Sequence, residues 1–267
     1  MATPGATANA ATVRVEREGP LAVVTIDRPA RHNSFDLATD RLLFEAVRTI
    51  VRDEGVRAVV LTGAGGRAFC TGADVAEMER HAERASEHFD DLTLAYHGLI
   101  EAIRHAPQVF VAAVNGIAAG GGVGLALSCD LVVAGRSARF ALAYANLGVS
   151  PDGGATAHLV RAIGPHRARE ALLLDGGIPA DTALAWGLVN RVVDDAEVLP
   201  AARALAAEAG ARARHTVHAV KALTELASHA PIAAVLEAER RAIIAAGATA
   251  GFREGLAAFR EKRKPRF

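Results

Sequence analysis

The feature that most constrains the fold is a pair of continuous apolar runs, residues 109–114 and 131–134, on either side of a glycine-rich segment. Uninterrupted apolar runs of this length are typical of strands that are buried on both faces, as in parallel sheets. The segment between them, residues 121–128, predicts a helix. Strand, helix and strand together predict a parallel α/β layer.

The N-terminal part of the chain shows the same unit after a hairpin. Short β-branched runs at 13–15 and 21–26 flank a Glu-Gly-Pro turn, which predicts a β-hairpin. Apolar residues at helical spacing predict a helix at 38–52, with Asp36 or a neighbour as its cap, and a further strand is predicted at 57–62.

From about residue 156 the pattern becomes helical and rich in alanine, apart from a strand predicted at 189–193. The helices are predicted at 201–212, 215–227 and 231–246. We therefore divide the chain into a disordered tail at 1–11, an α/β core at 12–195 and a C-terminal helical region at 196–267. The helical region is expected to cover the core and to pack against sister subunits.

Composition restricts the class of protein. The 267 residues, 51% of them apolar, suffice for one large domain or for one domain with a small appendage. Thirty basic and thirty acidic side chains leave no net charge, which argues against a nucleic-acid or membrane-surface binder and favours a small-molecule partner. No secretory leader and no apolar run of membrane-spanning length is present, so no membrane partner is expected.

The two cysteines, Cys70 and Cys129, cannot build a disulfide framework, and no pair of CxxC motifs offers a zinc site. A reducing, cytoplasmic setting is therefore expected, with both thiols acting as small buried residues. The histidines of one predicted helical stretch lack the spacing of a metal-binding set and are interpreted as partly exposed helix residues. They are His81, His88, His97 and His105.

The first informative loop, residues 67–75, follows a predicted strand and precedes a helix. Loops at the carboxyl ends of parallel strands are where α/β folds bind ligands. It contains Thr71, Gly72, Ala73 and Asp74. Turn chemistry alone leaves open a simpler interpretation, in which Asp74 caps the next helix.

The second loop, residues 115–124, contains three adjacent glycines at the start of a predicted helix. Glycines let backbone amides approach a ligand, and a helix N-terminus carries partial positive charge, so the segment predicts an anion site. A dinucleotide fingerprint fails because Leu125 stands where Gly or Ala is required, and no Lys-Ser or Lys-Thr follows for a phosphate loop. Close packing of the helix against a strand is the alternative.

The third loop, residues 147–154, carries Asp152 in a glycine-flanked turn before a helix. Taken by itself, the carboxylate is a turn former or a helix cap. Together, the three loops could supply two backbone donors and one acid to a single site.

These segments resemble the crotonase (enoyl-CoA hydratase/isomerase) superfamily. Residues 69–75 resemble its Ala-Gly-Ala-Asp loop, and residues 112–122 resemble its Ala-Ala-Val-Asn-Gly segment with the glycine triplet. Residues 183–189 are similar to its Ala-x-x-x-Gly-Leu-Val segment, and residues 259–265 to its C-terminus. The similarity runs from about Val13 to the end of the chain. It implies an α/β fold of the ClpP-like crotonase type, a spiral of ββα units with a C-terminal helical trimerisation region.

The resemblance implies a chemistry in which the backbone amides of Ala73 and Gly121 form an oxyanion hole for a thioester carbonyl. Hydratases of the family carry two glutamates, whose positions here hold Gly124 and Tyr144. Asp152 matches the catalytic aspartate of the family's dienoyl-CoA and epoxyphenylacetyl-CoA isomerases and of its chlorobenzoyl-CoA dehalogenases. An acid/base role is implied in the isomerases, and a nucleophilic role in the dehalogenases.

The resemblance also implies an acyl-CoA binding surface. Arg28 and Arg31 match a basic loop near the nucleotide, and Phe259 with Lys262 matches a C-terminal pair that closes over CoA in the same or a neighbouring subunit. Solvated surface residues are the alternative for all four. The other expected substrate contacts are Ala68, Thr71, Gly72, Asp74, Val75, Gly120, Gly124, Tyr144 and Pro151.

The leading hypothesis is an enoyl-CoA isomerase that shuttles a proton and needs neither a metal nor a cofactor besides the CoA of its substrate. The alternatives are an enoyl-CoA hydratase of low or altered activity, a dehalogenase-like hydrolase of aryl-CoA, and a non-catalytic acyl-CoA binding subunit. A homotrimer or a dimer of trimers is expected.

Overall fold

The strands of the chain form two sheets. The computed structural model describes residues 12–174 and 176–267, so the tail predicted at 1–11 lies outside the described residues. The strands are β1 (Val13–Glu18), β2 (Leu21–Ile26), β3 (Ala58–Gly63), β4 (Ala68–Cys70), β5 (Val109–Val114), β6 (Ile117–Ala119), β7 (Leu131–Gly135), β8 (Arg139–Ala141), β9 (Ile178–Pro179) and β10 (Arg191–Val193). The larger sheet has the order β1-β2-β3-β5-β7-β10, and the smaller one β4-β6-β8-β9.

The larger sheet confirms the predicted hairpin and the predicted parallel layer. β1 and β2 pair antiparallel from Val13 opposite Ile26 to Glu18 opposite Leu21. The remaining neighbours pair parallel. Every residue of β2, β3 and β5 is buried, as expected of apolar strands covered on both faces.

The smaller sheet was not predicted from the sequence. β4, β6 and β8 pair parallel, and β9 joins them antiparallel. These strands are two or three residues long, too short to produce a periodic signal. The strand predicted at 189–193 is present as β10 but is shorter than predicted, beginning at Arg191. The preceding strand, β9, was not predicted.

Helices follow the strand pairs and complete three units. They are α1 (Leu37–Arg52), α2 (Val75–Arg80), α3 (Ala85–His105), α4 (Gly121–Ser128), α5 (Ala155–Leu173), α6 (Ala180–Ala185), α7 (Val198–Gly210), α8 (Arg214–Ala227), α9 (Ile232–Gly247) and α10 (Ala250–Arg260). In β3-β4, β5-β6 and β7-β8, the first strand enters the larger sheet, the second enters the smaller sheet, and a helix follows. This arrangement supplies the ββα units expected from the sequence.

Where bounds were predicted, for α1, α4, α7, α8 and α9, the helices agree to within a few residues. α10 lies within the predicted C-terminal helical region, but no bounds were predicted for it. Asp36 caps α1 by accepting a hydrogen bond from the Thr39 amide at 2.8 Å, as predicted. α7 packs on one face of the larger sheet, where Leu205 meets Val60 and Val111 in a buried cluster. Among the described residues, no helix is both long enough and apolar enough to span a bilayer.

The predictions for the sulfur and imidazole side chains had mixed outcomes. Cys70 and Cys129 are buried and unpaired, as expected. His88 is also buried, with its ring stacked 4.6 Å from that of His81, so its interpretation as a partly exposed residue was wrong. The reason is that α3 turns His88 inward, which the local sequence did not reveal.

Asp40, on α1, is an unusual buried carboxyl group. Its side chain is fully buried, and neither carboxyl oxygen has a hydrogen-bond partner within residues 12–174 and 176–267. Burial, and secondarily the negative charge of Asp152, raises the pKa of Asp40 from 3.8 to about 8. The folded protein therefore holds Asp40 in its neutral form near pH 7.

Replacing Asp40 with Asn should stabilise the protein relative to the wild type as the pH rises. Between pH 3.8 and about 8, the unfolded chain has released a proton that the folded chain keeps, so the wild type loses stability with rising pH. The difference in unfolding free energy should widen by up to about 1.4 kcal/mol per pH unit in urea titrations. The exposed Asp91→Asn control should show no such trend, and a flat difference for Asp40→Asn would mean that this carboxyl is ionised in the folded state.

Candidate functional site

A cavity of about 270 Å³ opens where the loops after β4 and β6 meet the segment that precedes α5. Its wall is largely apolar and includes Phe35, Met78, Phe89, Leu92, Leu147 and Val149. The carboxyl ends of parallel strands thus border a ligand-sized space, as the sequence predicted.

The loop after β4 is held by strand-like pairing with Phe35. The Phe35 amide donates to the Gly72 carbonyl and the Asp74 amide donates to the Phe35 carbonyl, both at 2.9 Å. In parallel pairing, a residue bonds to the two neighbours of its partner, and the partner's own amide points away. The partner here is Ala73, so its N–H is directed away from Phe35.

The loop after β6 brings a second amide to the same place. Gly121 is the first residue of α4, and such an amide has no partner within its own helix. A Cβ on Gly72 would lie only 2.7 Å from the Gly121 nitrogen, so the two loops are in backbone contact. Within the described ranges, neither the Ala73 nor the Gly121 amide donates to another protein group. Both residues line the cavity.

Asp152 supplies a carboxylate to the same cavity. It is partly exposed and lies three residues before the start of α5. The Tyr144 hydroxyl donates to Asp152 Oδ1 at 2.8 Å, and both side chains line the wall. Burial, reinforced by the charge of Asp152, raises the pKa of Tyr144 above its ordinary value, so the phenol remains a hydrogen-bond donor.

Position 124 has no space for a side chain. A Cβ on Gly124 would lie 2.9 Å from the Tyr96 hydroxyl and 2.8 Å from the Gly153 carbonyl oxygen. Gly124 is buried and is absent from the cavity wall as the structure describes it, and the expected substrate contact at this residue stays a prediction. The space that a side chain at position 124 would need is thus filled by Tyr96 and the Asp152 turn.

Arg28 and Asp74 face each other rather than the cavity. Arg28 Nη2 lies 3.0 Å from Asp74 Oδ2 and 2.9 Å from Asp36 Oδ2, and Nη1 donates to the Ser34 carbonyl at 2.6 Å. Asp74 also accepts from the Ala76 amide and caps α2. Two carboxylates therefore balance the Arg28 charge, and neither Arg28 nor Asp74 lines the cavity as described. Their expected contact with the substrate stays a prediction.

The remaining predicted residues divide into two groups. Thr71, Val75 and Gly120 line the cavity. Ala68, Gly72 and Pro151 lie beside it but do not form its wall, and Ala68 is buried with its carbonyl accepting from Asn33 Nδ2 at 2.7 Å.

The residues proposed to hold CoA lie on the surface of the single chain. Arg31 is exposed at the end of a short 3-10 turn, Phe259 is 84% exposed on α10, and Lys262 follows that helix. None of the three lines the cavity as described. Their contact with CoA stays a prediction.

The residues behind the site, above all Tyr96 and His97 on α3, were not predicted from the sequence. The His97 ring accepts a hydrogen bond from the Gly153 amide at 3.1 Å, although His97 was interpreted only as a partly exposed helix residue. The available signal in the sequence was the position of Tyr96 on the apolar face of the predicted helix, which places its hydroxyl in the interior, where it needs a hydrogen-bond partner. In the described part of the chain, no cluster of three or more His, Cys, Asp or Glu side chains is arranged to hold a metal ion.

An α/β fold of ββα units, with free amides and a carboxylate around an apolar cavity, defines a class of protein suited to polarising a bound carbonyl group. The family model described as enoyl-CoA hydratase/isomerase matches residues 16–267. The chain belongs to this family of the crotonase superfamily, which confirms the resemblance found in the sequence.

Individual relatives have different named activities. A 1,2-epoxyphenylacetyl-CoA isomerase of Escherichia coli (strain K12) is 36% identical, over 91% of this chain and 93% of the relative. A 4-chlorobenzoyl coenzyme A dehalogenase of an Arthrobacter species is 34% identical, over 94% of this chain and 91% of the relative. The crystal structure of an enoyl-CoA hydratase from Polaromonas sp. JS666 superposes with a TM-score of 0.91 at 32% identity, over 95% of this chain and 98% of that one.

Adding one methyl group at position 124 should disturb the site. Gly124→Ala places a Cβ against the Tyr96 hydroxyl and the Gly153 carbonyl, which overpacks a buried contact and should destabilise the fold by about 1–3 kcal/mol. Gly247→Ala is a matched control because its Cβ would meet open space in α9. Chemical unfolding of both variants measures the difference, and equal stability of the two would contradict the packing described for Gly124.

Proposed function

We propose that the protein is an acyl-CoA enzyme that forms an enolate and most closely fits an enoyl-CoA isomerase. The observation that carries this proposal is that, in the described part of the chain, Asp152 is the one carboxylate lining a cavity that Ala73 and Gly121, whose amides have no protein partner there, also line. The positions of the hydratase glutamates hold Gly124, which has no room for a side chain, and Tyr144, which is a donor. The relative named 1,2-epoxyphenylacetyl-CoA isomerase supports an isomerase that acts on an acyl-CoA, although its named substrate is an epoxide.

The proposed step moves one proton within the acyl group. Asp152 removes a proton from the α or γ carbon of the bound thioester, and the C–H electron pair moves into the conjugated system and onto the thioester oxygen. The amides of Ala73 and Gly121 stabilise that oxygen as its charge develops, a contribution worth roughly 3–4 kcal/mol per donor. The protonated Asp152 then returns the proton to another carbon, so the double bond shifts without net change in composition.

Tyr144 orients the acid in this step. Its hydroxyl occupies Asp152 Oδ1, which leaves Oδ2 to accept the proton. The same hydrogen bond fixes the carboxylate at the edge of the cavity. The step uses only groups of the protein and the acyl-CoA, so the proposal invokes no metal and no redox cofactor.

The cavity wall favours a bulky or ring-bearing acyl group. Phe35, Phe89 and Leu92 present large apolar surfaces, and Tyr144 adds an aromatic ring beside Asp152. Such surfaces bind apolar groups by excluding water, and aromatic rings add edge or face contacts with a ring. The name of the dehalogenase relative supports aryl-CoA as a second substrate class, with the free Oδ2 of Asp152 as a nucleophile.

Asp152→Asn should abolish proton exchange while leaving acyl-CoA binding nearly unchanged. The amide cannot take up a proton, and general acid–base catalysis is usually worth about 10²- to 10⁴-fold in rate. Incubation of enoyl-CoA and aryl-CoA thioesters in deuterated water, read by mass spectrometry, measures the exchange. The exposed Asp194→Asn variant is the control and should exchange deuterium like the wild type.

The products of this assay separate the alternatives. A shifted double bond with deuterium uptake supports the isomerase, addition of water to crotonyl-CoA supports a hydratase in which Asp152 alone activates water, and halide release from a chloroaryl-CoA supports the dehalogenase. Tight binding of acyl-CoA without exchange or product would identify a non-catalytic subunit. Full turnover by Asp152→Asn would remove this carboxylate from the mechanism.

A homotrimer or a dimer of trimers is part of the proposal. α9 carries Ile232, Ile243 and Ile244 at 71%, 74% and 61% exposure, and α10 carries the exposed Phe252. Several large apolar side chains on neighbouring helices are typical of a protein interface. Assembly through these helices would also bring Phe259 and Lys262 near a neighbouring site, in line with their expected contact with CoA.

Sedimentation should give three or six chain masses for the wild type. Ile243→Glu, a substitution at an exposed position, should shift the protein toward the monomer without unfolding it, because a buried interfacial carboxylate is strongly unfavourable. Leu42→Glu on α1, also exposed, should leave the mass unchanged. A monomeric wild type would contradict the assembly.

A further inference from the structure

Tyr96 is a fully buried side chain that touches both loops of the proposed oxyanion hole. Its hydroxyl donates to the Gly121 carbonyl oxygen in the first turn of α4. Its ring packs against that of Phe35, with centroids 5.1 Å apart and planes inclined by 34°. Phe35 is the residue that pairs with Ala73. Tyr96 therefore contacts the residue that holds the Ala73 amide in place and also contacts Gly121 itself.

The Gly121 segment needs such a support. Three adjacent glycines have wide backbone freedom, and Gly120 adopts a positive φ of 49°. A Cβ on Gly121 would lie 3.1 Å from Phe35 Cζ and 3.5 Å from the Tyr96 ring, so Gly121 rests directly on this ring pair. The hydroxyl bond and the ring contact together remove freedom that the glycines would otherwise retain.

The next residue of α3 holds the acid side of the site. His97 Nε2 accepts from the Gly153 amide at 3.1 Å, and Gly153 directly follows Asp152. A Cβ on Gly153 would overlap the Tyr96 ring, so the Asp152 turn also rests on Tyr96. One turn of α3 therefore contacts the amide side and the carboxylate side of the cavity.

We infer that Tyr96 and His97 are positioning residues, in which Tyr96 sets the oxyanion-hole amides and His97 sets the turn that carries Asp152. Neither side chain lines the cavity as the structure describes it, so each acts through the backbone that it holds. Such action is effective because a displacement of about 1 Å at reacting groups can reduce the rate roughly 100-fold. The inference rests on the proposed enolate chemistry. It states that α3 holds the amides and the carboxylate in the positions that this chemistry needs.

Tyr96→Phe tests the amide side, because it keeps the ring and removes the hydroxyl. We expect kcat for deuterium exchange to fall roughly 10- to 100-fold with KM little changed. Bound cinnamoyl-CoA provides a second readout, since polarisation of its conjugated thioester carbonyl shifts its ultraviolet absorption to longer wavelength. That shift should shrink in Tyr96→Phe. Thr62→Val, which also removes a buried hydroxyl bound to a carbonyl, is the matched control and should change neither readout.

His97→Leu tests the acid side at an exposed position where folding is little affected. Removal of the acceptor should lower kcat for exchange but leave the absorption shift of cinnamoyl-CoA intact. His97→Gln, whose amide oxygen can accept from the Gly153 amide, should restore most of the rate.

The two proposals fail in different ways. A wild-type protein that neither exchanges deuterium nor shifts the absorption of cinnamoyl-CoA would overturn the proposed function. An active wild type whose Tyr96→Phe variant keeps the full rate and the full shift, or whose His97→Leu variant keeps the full rate, would overturn the positioning role of that residue.

Discussion

The close approach of two backbone loops, at Gly72 and Gly121, is the constraint on which the site depends. A side chain at Gly72 would meet the Gly121 nitrogen, and one at Gly122 would overlap the Cys70 carbonyl. Glycine at these positions lets the loops after β4 and β6 touch through their backbones at the carboxyl ends of these strands. In the part of the chain that the structure describes, the amides of Ala73 and Gly121 have no protein partner there. Amides fixed in this way need little reorganisation when negative charge develops beside them, which is the basis of preorganised electrostatic stabilisation.

The ionisable groups near the cavity differ in their hydrogen bonds and in their burial. This difference is consistent with a site in which one carboxyl group acts as the acid. Asp152 is held by Tyr144, whereas Asp40 is buried with no hydrogen-bond partner among the described residues and is kept neutral near pH 7. Burial raises the pKa of Cys70 to about 12, so this neighbouring thiol remains protonated. Asp152 is thus the carboxyl group that lines the cavity, with the buried groups Asp40 and Cys70 held in their neutral forms.

α3 links the fold to the function. It packs against α1, its Tyr96 ring contacts Phe35 in the segment before α1, and it contacts the turns at Gly121 and Gly153. A helix of 21 residues is a rigid support compared with glycine-rich loops, so contact with α3 restricts the conformations of these loops. Because α3 is rigid, the loops can contain glycines and still keep the Gly121 amide and the Asp152 carboxylate in fixed positions relative to each other.

The sequence by itself determined the parallel α/β core, the glycine loops, the cap at Asp36 and the family, because apolar runs, helical spacing and glycine motifs are local features of the chain. It also singled out Ala73, Gly121 and Asp152, which the structure brings to one cavity. Only the tertiary structure decided that Arg28 and Asp74 pair with each other, that Gly124 faces Tyr96, and that His97 holds the Asp152 turn. Each of these outcomes depends on contacts between residues that are distant in the chain, and such contacts leave no periodic trace in the sequence.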